Sequence, residues 1–160
     1  MVTRYAWMAV FLLLVVAAAA VAGSFEVGEW YFLLRKPGWT PPAWIFGPVW
    51  SVLYVLMALA MWLVWDSKHY TRVGALIWWL LQLALNAAWS WLFFGLHRSG
   101  WSLGEMLLLI GVVILCIKAF SNSSRLASVL MLPYLLWLIF AWMLNFSIWM
   151  MNGGGLGIFP

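Results

Sequence analysis

Five long apolar segments constrain this chain more than any other feature of its sequence. They run over Tyr5–Gly23, Ile45–Trp65, Val73–Phe94, Leu103–Phe120 and Ala127–Met150. Each is long enough to cross about 30 Å of hydrocarbon as an α-helix, and open sheets or loops cannot satisfy their backbone hydrogen bonds there. Hydrophobic residues make up 68% of the chain and charged residues 8%, whereas about 25% are charged in soluble domains. The sequence therefore predicts a single all-α integral membrane domain, a five-helix transmembrane bundle, over residues 1–160.

The connections after the first one are short, which predicts that neighbouring helices run antiparallel. Basic residues are then unequally divided between the two membrane sides: Arg4, Lys68, Arg72, Lys118 and Arg125 share the side of the N-terminus, and Arg35, Lys36 and Arg98 lie opposite, with Glu26, Glu29 and Glu105. Since cytoplasmic loops carry the basic excess, we expect a cytoplasmic N-terminus in a bacterial cell membrane. The basic residues form no run, so nucleic acid is not an expected partner.

Local signals predict where some helices begin, bend or end. Ser102 followed by Glu105 fits a capping box at the start of the fourth helix, and Pro133 should bend the fifth. The Gly-rich tail, residues 152–157, is expected to fray. No span carries the charges of a proton relay or an ion path. The first segment allows two interpretations, a retained helix or a secretory signal cleaved after the small residues near Gly23.

Residues 24–44 connect the first two apolar segments, and their composition is unusual for a membrane loop. The loop is rich in proline and tryptophan, including Trp30, Pro37, Trp39, Pro41 and Pro42. Proline fixes φ and restricts the residue before it, so the loop should be stiff. A stiff aromatic loop beside a bilayer predicts a cover over a site for a flat apolar ligand.

The third segment carries Gln82, Asn86 and Trp89 on one helical face, at spacings of four and three residues. Amide side chains are costly in hydrocarbon unless they are hydrogen-bonded, so this face should point into the bundle. There it could join helices by interhelical hydrogen bonds or form the polar edge of a ligand pocket. Both interpretations stay open.

Two further segments carry stripes rich in aromatic residues at helical spacing. The stripes comprise Trp50, Tyr54, Met57 and Met61 in the second segment, and Tyr134, Trp137, Ala141 and Asn145 in the fifth. Such stripes usually pack a core. Beside the amide face of the third segment, they also fit the apolar, π-rich walls of a pocket.

Signals of catalysis or metal binding are weak. His69 and His97 fall in connections on opposite sides of the membrane, so they cannot form a joint metal site within one chain, and we expect no metal. Cys116, the single cysteine, is expected to pack as a small hydrophobic residue. The sequence contains no phosphate-binding loop, no Ser/His/Asp set and no cluster of carboxylates.

Taken together and in order, these motifs resemble the translocator protein family, also called tryptophan-rich sensory proteins or peripheral benzodiazepine receptors. The resemblance covers nearly the whole chain. It is carried by Trp30-Tyr31, by Lys36-Pro37-x-Trp39-x-Pro41-Pro42, by Trp50-x-x-x-Tyr54, by Gln82-x-x-x-Asn86-x-x-Trp89 with Phe93-Phe94-Gly95, and by Pro133-Tyr134-x-x-Trp137-x-x-x-Ala141-x-x-Leu144-Asn145.

The resemblance implies a retained first helix, a homodimer and a receptor or sensor that binds porphyrins such as protoporphyrin IX and haem, as well as isoquinoline and benzodiazepine drugs. Porphyrin would be a ligand, and no cofactor is required. A dimer through the third helix would use the small residues Ala84, Ala87 and Ala88. Motif residues and the stripes together give the predicted ligand site: Trp30, Trp39, Pro41, Pro42, Trp50, Tyr54, Gln82, Asn86, Trp89, Tyr134, Trp137, Ala141 and Asn145.

Two other functions stay open. In certain bacterial members of the family, tryptophans that match Trp50 and Trp137 are implicated in light-dependent porphyrin breakdown, so the chain could be an enzyme. It could also transport tetrapyrroles or sterols, although its odd number of spans does not suggest a duplicated transporter. Sterol binding is not expected late in the fifth helix, where Phe146 replaces the tyrosine of the animal motif and no basic residue follows.

Overall fold

The protein folds as a bundle of five membrane-spanning helical stretches. The computed structural model describes residues 2–25 and 27–154. Their helices are α1 (Val2–Gly23), α2 (Glu29–Leu33), α3 (Ala43–Asp66), α4 (Arg72–Ser90), α5 (Ser99–Ser121), α6 (Arg125–Leu130) and α7 (Leu132–Met151), and a π-helical turn (Trp91–Gly95) extends α4. Five stretches are long and apolar enough to cross a membrane: α1, α3, α4 with its π-turn, α5, and α6 with α7. The predicted all-α, five-span architecture is confirmed.

The largest difference from the predicted helix limits lies at the start of the fourth span. This helix begins at Ser99 rather than at Leu103. Ser102 therefore lies one turn inside it, and its hydroxyl donates to the carbonyl of Ser99 at 2.8 Å. The predicted capping box with Glu105 is wrong, because the helix already begins at Ser99, directly after His97 at φ 55° and the non-helical Arg98.

The fifth span is interrupted close to Pro133, as predicted. One helix ends at Leu130 and the next begins at Leu132, with proline in its first turn. Proline has no N–H to donate, so it is tolerated at the first turn of a helix and disrupts a helix interior. The side chain of Ser124 caps the short first part by accepting from the N–H of Ala127 at 3.3 Å.

The first span packs against the bundle. Helix α1 contacts α3 and α4, and it buries Phe11 and Val15 in the main core. In that core the indole N–H of Trp79 donates to the carbonyl of Met57 at 3.1 Å. Other neighbouring pairs include α4 with α5, α5 with α7, and α6 with both α3 and α5.

The first loop, residues 24–42, sits on the opposite end of the bundle from the N-terminus. It carries α2 and buries Leu34 in a second, smaller cluster with Phe93, Leu144 and Ile148. Gly95 contributes to this arrangement, because a Cβ at that position would lie 3.1 Å from the ring of Phe25. The close approach of the loop to the π-turn therefore favours glycine there.

The Gly-rich tail is ordered where the structure describes it. Asn152 holds the first loop, and the N–H of Gly154 donates to the carbonyl of Trp149 at 3.0 Å. The expected fraying is wrong for residues 152–154. Residues 155–157, like the Glu26 of the charge count, lie outside the described residues.

Candidate functional site

A cavity of about 550 Å³ lies within the bundle beside the first loop. Its volume falls in the range of sites for drug-sized ligands, about 300–1,000 Å³. Side chains from α1, α3, α4, α5, α7 and the loop form its wall. Of the residues predicted from the sequence, the wall contains Trp50, Tyr54, Asn86, Trp89, Trp137 and Ala141. That these residues bind a ligand stays a prediction.

A chain of hydrogen bonds crosses the bundle at the wall. The hydroxyl of Tyr54 donates to Oδ1 of Asn86 at 2.8 Å, and Nδ2 of Asn86 donates to the hydroxyl of Tyr134 at 3.2 Å. These bonds join α3, α4 and α7 in a low-dielectric interior, where an unpaired amide would be costly. Asn86 therefore serves both interpretations of the amide face, since it joins helices and also lines the cavity.

Aromatic rings form much of the remaining wall. The ring centroid of Trp50 lies 5.4 Å from that of Tyr54 and 6.1 Å from that of Tyr134. On the fifth span, the centroid of Trp137 lies 5.7 Å from that of Phe46, with the rings edge to face. These contacts hold the rings of Trp50 and Trp137 in place in the wall of the same cavity.

Trp89 continues this aromatic wall toward the π-turn. Its ring stacks on Phe93 at a centroid distance of 5.1 Å and meets Phe94 edge to face at 5.8 Å. Its Nε1 is buried and has no hydrogen-bond partner among the described residues. An unpaired buried donor is uncommon in native structures, so this indole N–H retains capacity for an acceptor.

Three residues of the predicted site lie behind the wall rather than in it. Tyr134 is fully buried, and Gln82 is buried with Nε2 3.6 Å from the sulfur of Met57. Asn145 donates from Nδ2 to the hydroxyl of Ser102 at 2.8 Å and borders a smaller cavity of about 50 Å³. Gln82 and Asn145 therefore act mainly as contacts between helices.

The loop tryptophans pack the loop down instead of lining the cavity. The ring of Trp30 stacks on His97 at a centroid distance of 4.4 Å, and Trp39 meets Phe140 edge to face at 5.8 Å. Pro42 stands just before α3 as its N-cap residue, and Pro41 precedes it half-buried. None of these four predicted site residues belongs to the cavity wall.

A two-bond clasp ties the loop to the end of the fifth span. Asn152 accepts from the N–H of Arg35 at 3.0 Å through Oδ1, and its Nδ2 donates to the carbonyl of Arg35 at 2.9 Å. Together with the buried Leu34, the clasp holds the loop over the bundle. No local sequence pattern indicates this clasp, because its two partners are separated by 117 positions.

Part of the cavity wall was not predicted from the sequence, namely the small residues of α1 and two aromatic residues of the first loop. Ala19, Ala22 and Gly23 contribute it from α1, and the loop contributes Phe25 and Tyr31. The alanine-rich end of the first segment was the available signal, since small side chains leave room beside a helix. The same small residues also fit a signal cleavage site, so the sequence alone does not assign them to a pocket.

Glu105 also departs from its expected place. Both of its carboxyl oxygens are buried within the fourth span and have no partner among the described residues. Glu105 therefore lies inside the fourth span and does not cap its start. The two histidines do lie at separate ends, His69 after α3 and His97 before α5.

The match to known proteins extends over the same length as this bundle. A family profile described as the TspO/MBR family matches residues 7–150. The chain belongs to the TspO/MBR family. It is 40% identical to the tryptophan-rich protein TspO of Archaeoglobus fulgidus over 144 residues, covering 88% of this chain and 94% of that protein.

Other family members are similar over comparable lengths. The translocator protein of Homo sapiens is 41% identical over 143 residues, which cover 86% of this chain and 85% of that protein. The tryptophan-rich sensory protein of Cereibacter sphaeroides is 35% identical over 136 residues, with 85% of both chains covered. The resemblance inferred from the sequence motifs is therefore confirmed, and with its five spans this family member is an integral membrane protein.

Proposed function

We propose that this protein is a membrane receptor that binds a flat, largely apolar ligand of the porphyrin class in the cavity beneath its first loop. The observation that carries the proposal is the cavity of about 550 Å³ with tryptophans on two facing spans. Ring faces bury apolar area and stack on planar ligands, and the few polar groups of the wall can orient them. Isoquinoline and benzodiazepine drugs are also aromatic and largely apolar, and they would enter the same space.

Titration with protoporphyrin IX, followed by quenching of tryptophan fluorescence, tests the proposal. The double variant Trp50→Phe, Trp137→Phe removes indole area from the wall and should weaken binding. A matched double variant, Trp44→Phe with Trp101→Phe, changes tryptophans that are 74% and 55% exposed and lie outside the wall. Equal affinity in the wall variant and the wild-type protein would contradict the proposed site.

A second candidate, an oxygen-dependent porphyrin-degrading activity, is favoured by the position of Trp50 and Trp137 in one cavity. An indole can pass an electron to a photoexcited porphyrin and later recover it. The net reaction would add both atoms of dioxygen across one carbon–carbon bond of the ring, which opens to two carbonyl groups. Illumination with protoporphyrin IX and oxygen should then yield a new absorbing product in the wild-type protein and none in the double variant. Binding without such a product would leave the receptor function alone.

We also propose that the N-terminus faces the cytoplasm and the first loop faces outward, on the basis of the unequal basic residues. Exposed positions at the two ends allow a direct test, because the native Cys116 is buried. In intact bacterial cells, an impermeant maleimide should label Gly38→Cys in the loop. It should label Asn122→Cys, in the connection after α5, only after lysis. The reverse pattern would invert the topology.

A further inference from the structure

Lys36 places a positive charge against the loop side of the cavity. Its Nζ lies 4.4 Å from the ring centroid of Tyr31, and the side chain of Tyr31 forms part of the cavity wall. The same ammonium donates to the carbonyl of Leu34 at 3.2 Å. The lysine therefore folds back over the loop, and a single aromatic ring separates its charge from the ligand space.

The charge of Lys36 is not neutralised by a carboxylate in the described part of the chain. The ion pair found there joins Arg4 and Asp66, at the other end of the bundle. Burial raises the pKa of the Tyr31 hydroxyl, so the lysine faces a neutral ring rather than a phenolate. A lysine ammonium has three donors, and Leu34 occupies one of them. The others are available to an anionic acceptor.

The cavity wall offers no positive charge to an anion. None of the described residues in its wall is charged, and most of them are aromatic or aliphatic. A carboxylate turned toward such a wall would lose its hydration without gaining a charged partner. A flat ligand that carries carboxylates is therefore expected to place its apolar edge in the bundle and its acidic edge at the loop.

Of the described basic residues at this end, Lys36 is the one held against the cavity wall. The neighbouring Arg35 has an exposed side chain, although its backbone is clasped by Asn152. Arg98 lies in the connection before α5 and is not part of the wall. Its place against the cavity wall therefore distinguishes Lys36 from the other basic residues at this end of the bundle.

We propose that Lys36 recognises a carboxylate of the bound ligand and thereby sets the ligand's orientation, an inference that rests on the proposed binding function. The ammonium leaves the face of Tyr31, or shares it, to form a charge-assisted hydrogen bond with the ligand. The site then prefers planar acids over planar neutral molecules of the same shape.

The test compares protoporphyrin IX with its dimethyl ester, in which the carboxylates are capped and the ring is unchanged. Quenching titrations give the affinity of each for the wild-type protein, Lys36→Gln, Lys36→Arg and the matched control Arg35→Gln. We expect the wild-type protein to prefer the acid by about tenfold to a hundredfold, the usual worth of a hydrogen bond to a charged group. Lys36→Gln should lose this preference while keeping its affinity for the ester, and the other two variants should retain it.

Each alternative result has a distinct meaning. Equal affinity of the wild-type protein for acid and ester would overturn the assignment of Lys36. A parallel loss of both ligands in Lys36→Gln would show that the lysine only holds the loop. Loss of the preference in Arg35→Gln as well would assign it to the general charge of the loop and overturn the role of Lys36. If neither porphyrin bound the wild-type protein, the proposed function and this inference would both fail.

Discussion

The clasp between Asn152 and the first loop yields a prediction whose size follows from its geometry. Asn152→Ala removes the two hydrogen bonds to the backbone of Arg35, at 3.0 and 2.9 Å, while Leu34 stays buried. Each bond contributes about 0.5–1.5 kcal/mol net, so loop opening should become easier by about 1–3 kcal/mol. The equilibrium constant for loop opening should therefore rise about fivefold to 150-fold.

Hydrogen exchange followed by mass spectrometry measures this opening without any ligand. The amides to follow are those of Tyr31 and Thr40, which donate within the loop to Gly28 and Pro37. Their exchange should accelerate in Asn152→Ala by the factor given above, while amides in the middle of the spans keep their rates. The matched control is Asn122→Ala, an exposed asparagine at the other end of the bundle. Unchanged exchange in the loop, or the same acceleration in the control, would refute the idea that the clasp holds the loop closed.

Three further predictions concern the bundle. Asn86→Ala deprives the hydroxyls of Tyr54 and Tyr134 of their amide partner, so it should lower stability in detergent by about 1–3 kcal/mol, more than Tyr134→Phe; equal losses would contradict the hydrogen-bond chain. Glu105→Gln removes a buried carboxyl without a partner among the described residues, so the thermal midpoint should hold or rise. A clear fall in the midpoint would show that the carboxylate is compensated. We propose a homodimer through the third span, so Ala84→Trp should reduce cross-linked dimer, and an unchanged dimer would place the interface elsewhere.

The number and order of the spans follow directly from the sequence because the bilayer imposes length and apolarity on each helix. The residues at which the helices begin and end are harder to predict from the sequence. Ser102 and Glu105 have the spacing of a capping box, yet the helix begins at Ser99, soon after the π-turn ends at Gly95 and His97 adopts φ 55°. The first loop approaches this connection closely, since a Cβ at Gly95 would lie 3.1 Å from the ring of Phe25, and no local sequence pattern encodes such a contact.

The candidate site was also predicted only in part from the sequence. Helical periodicity brings Asn86 and Trp89 to one face and Trp50 to another, and the structure finds all of them around one cavity. Periodicity does not reveal depth within the bundle, so Gln82 and Asn145 were grouped with the wall although they lie behind it. The loop posed a different problem, because a tryptophan packed on a neighbouring ring and one that faces a ligand have the same sequence signature.

The polar groups at the cavity are used largely by the protein itself, and this has a consequence for selectivity. Asn86 gives its oxygen to Tyr54 and an N–H to Tyr134, and the hydroxyl of Ser51 donates to the carbonyl of Gly47 at 2.9 Å. Within the bundle a ligand therefore meets mainly ring faces and aliphatic groups, and the affinity gained there should depend on apolar area and planar shape. Loss of a hydroxyl behind the wall should then reduce stability and leave ligand affinity unchanged. Loss of indole area in the wall should instead reduce ligand affinity and leave stability nearly unchanged. Tyr134→Phe and Trp137→Phe form the contrasting pair, and a Tyr134→Phe protein that folded normally but bound protoporphyrin IX more weakly would show that the hydrogen-bond chain through Asn86, and not shape alone, selects the ligand.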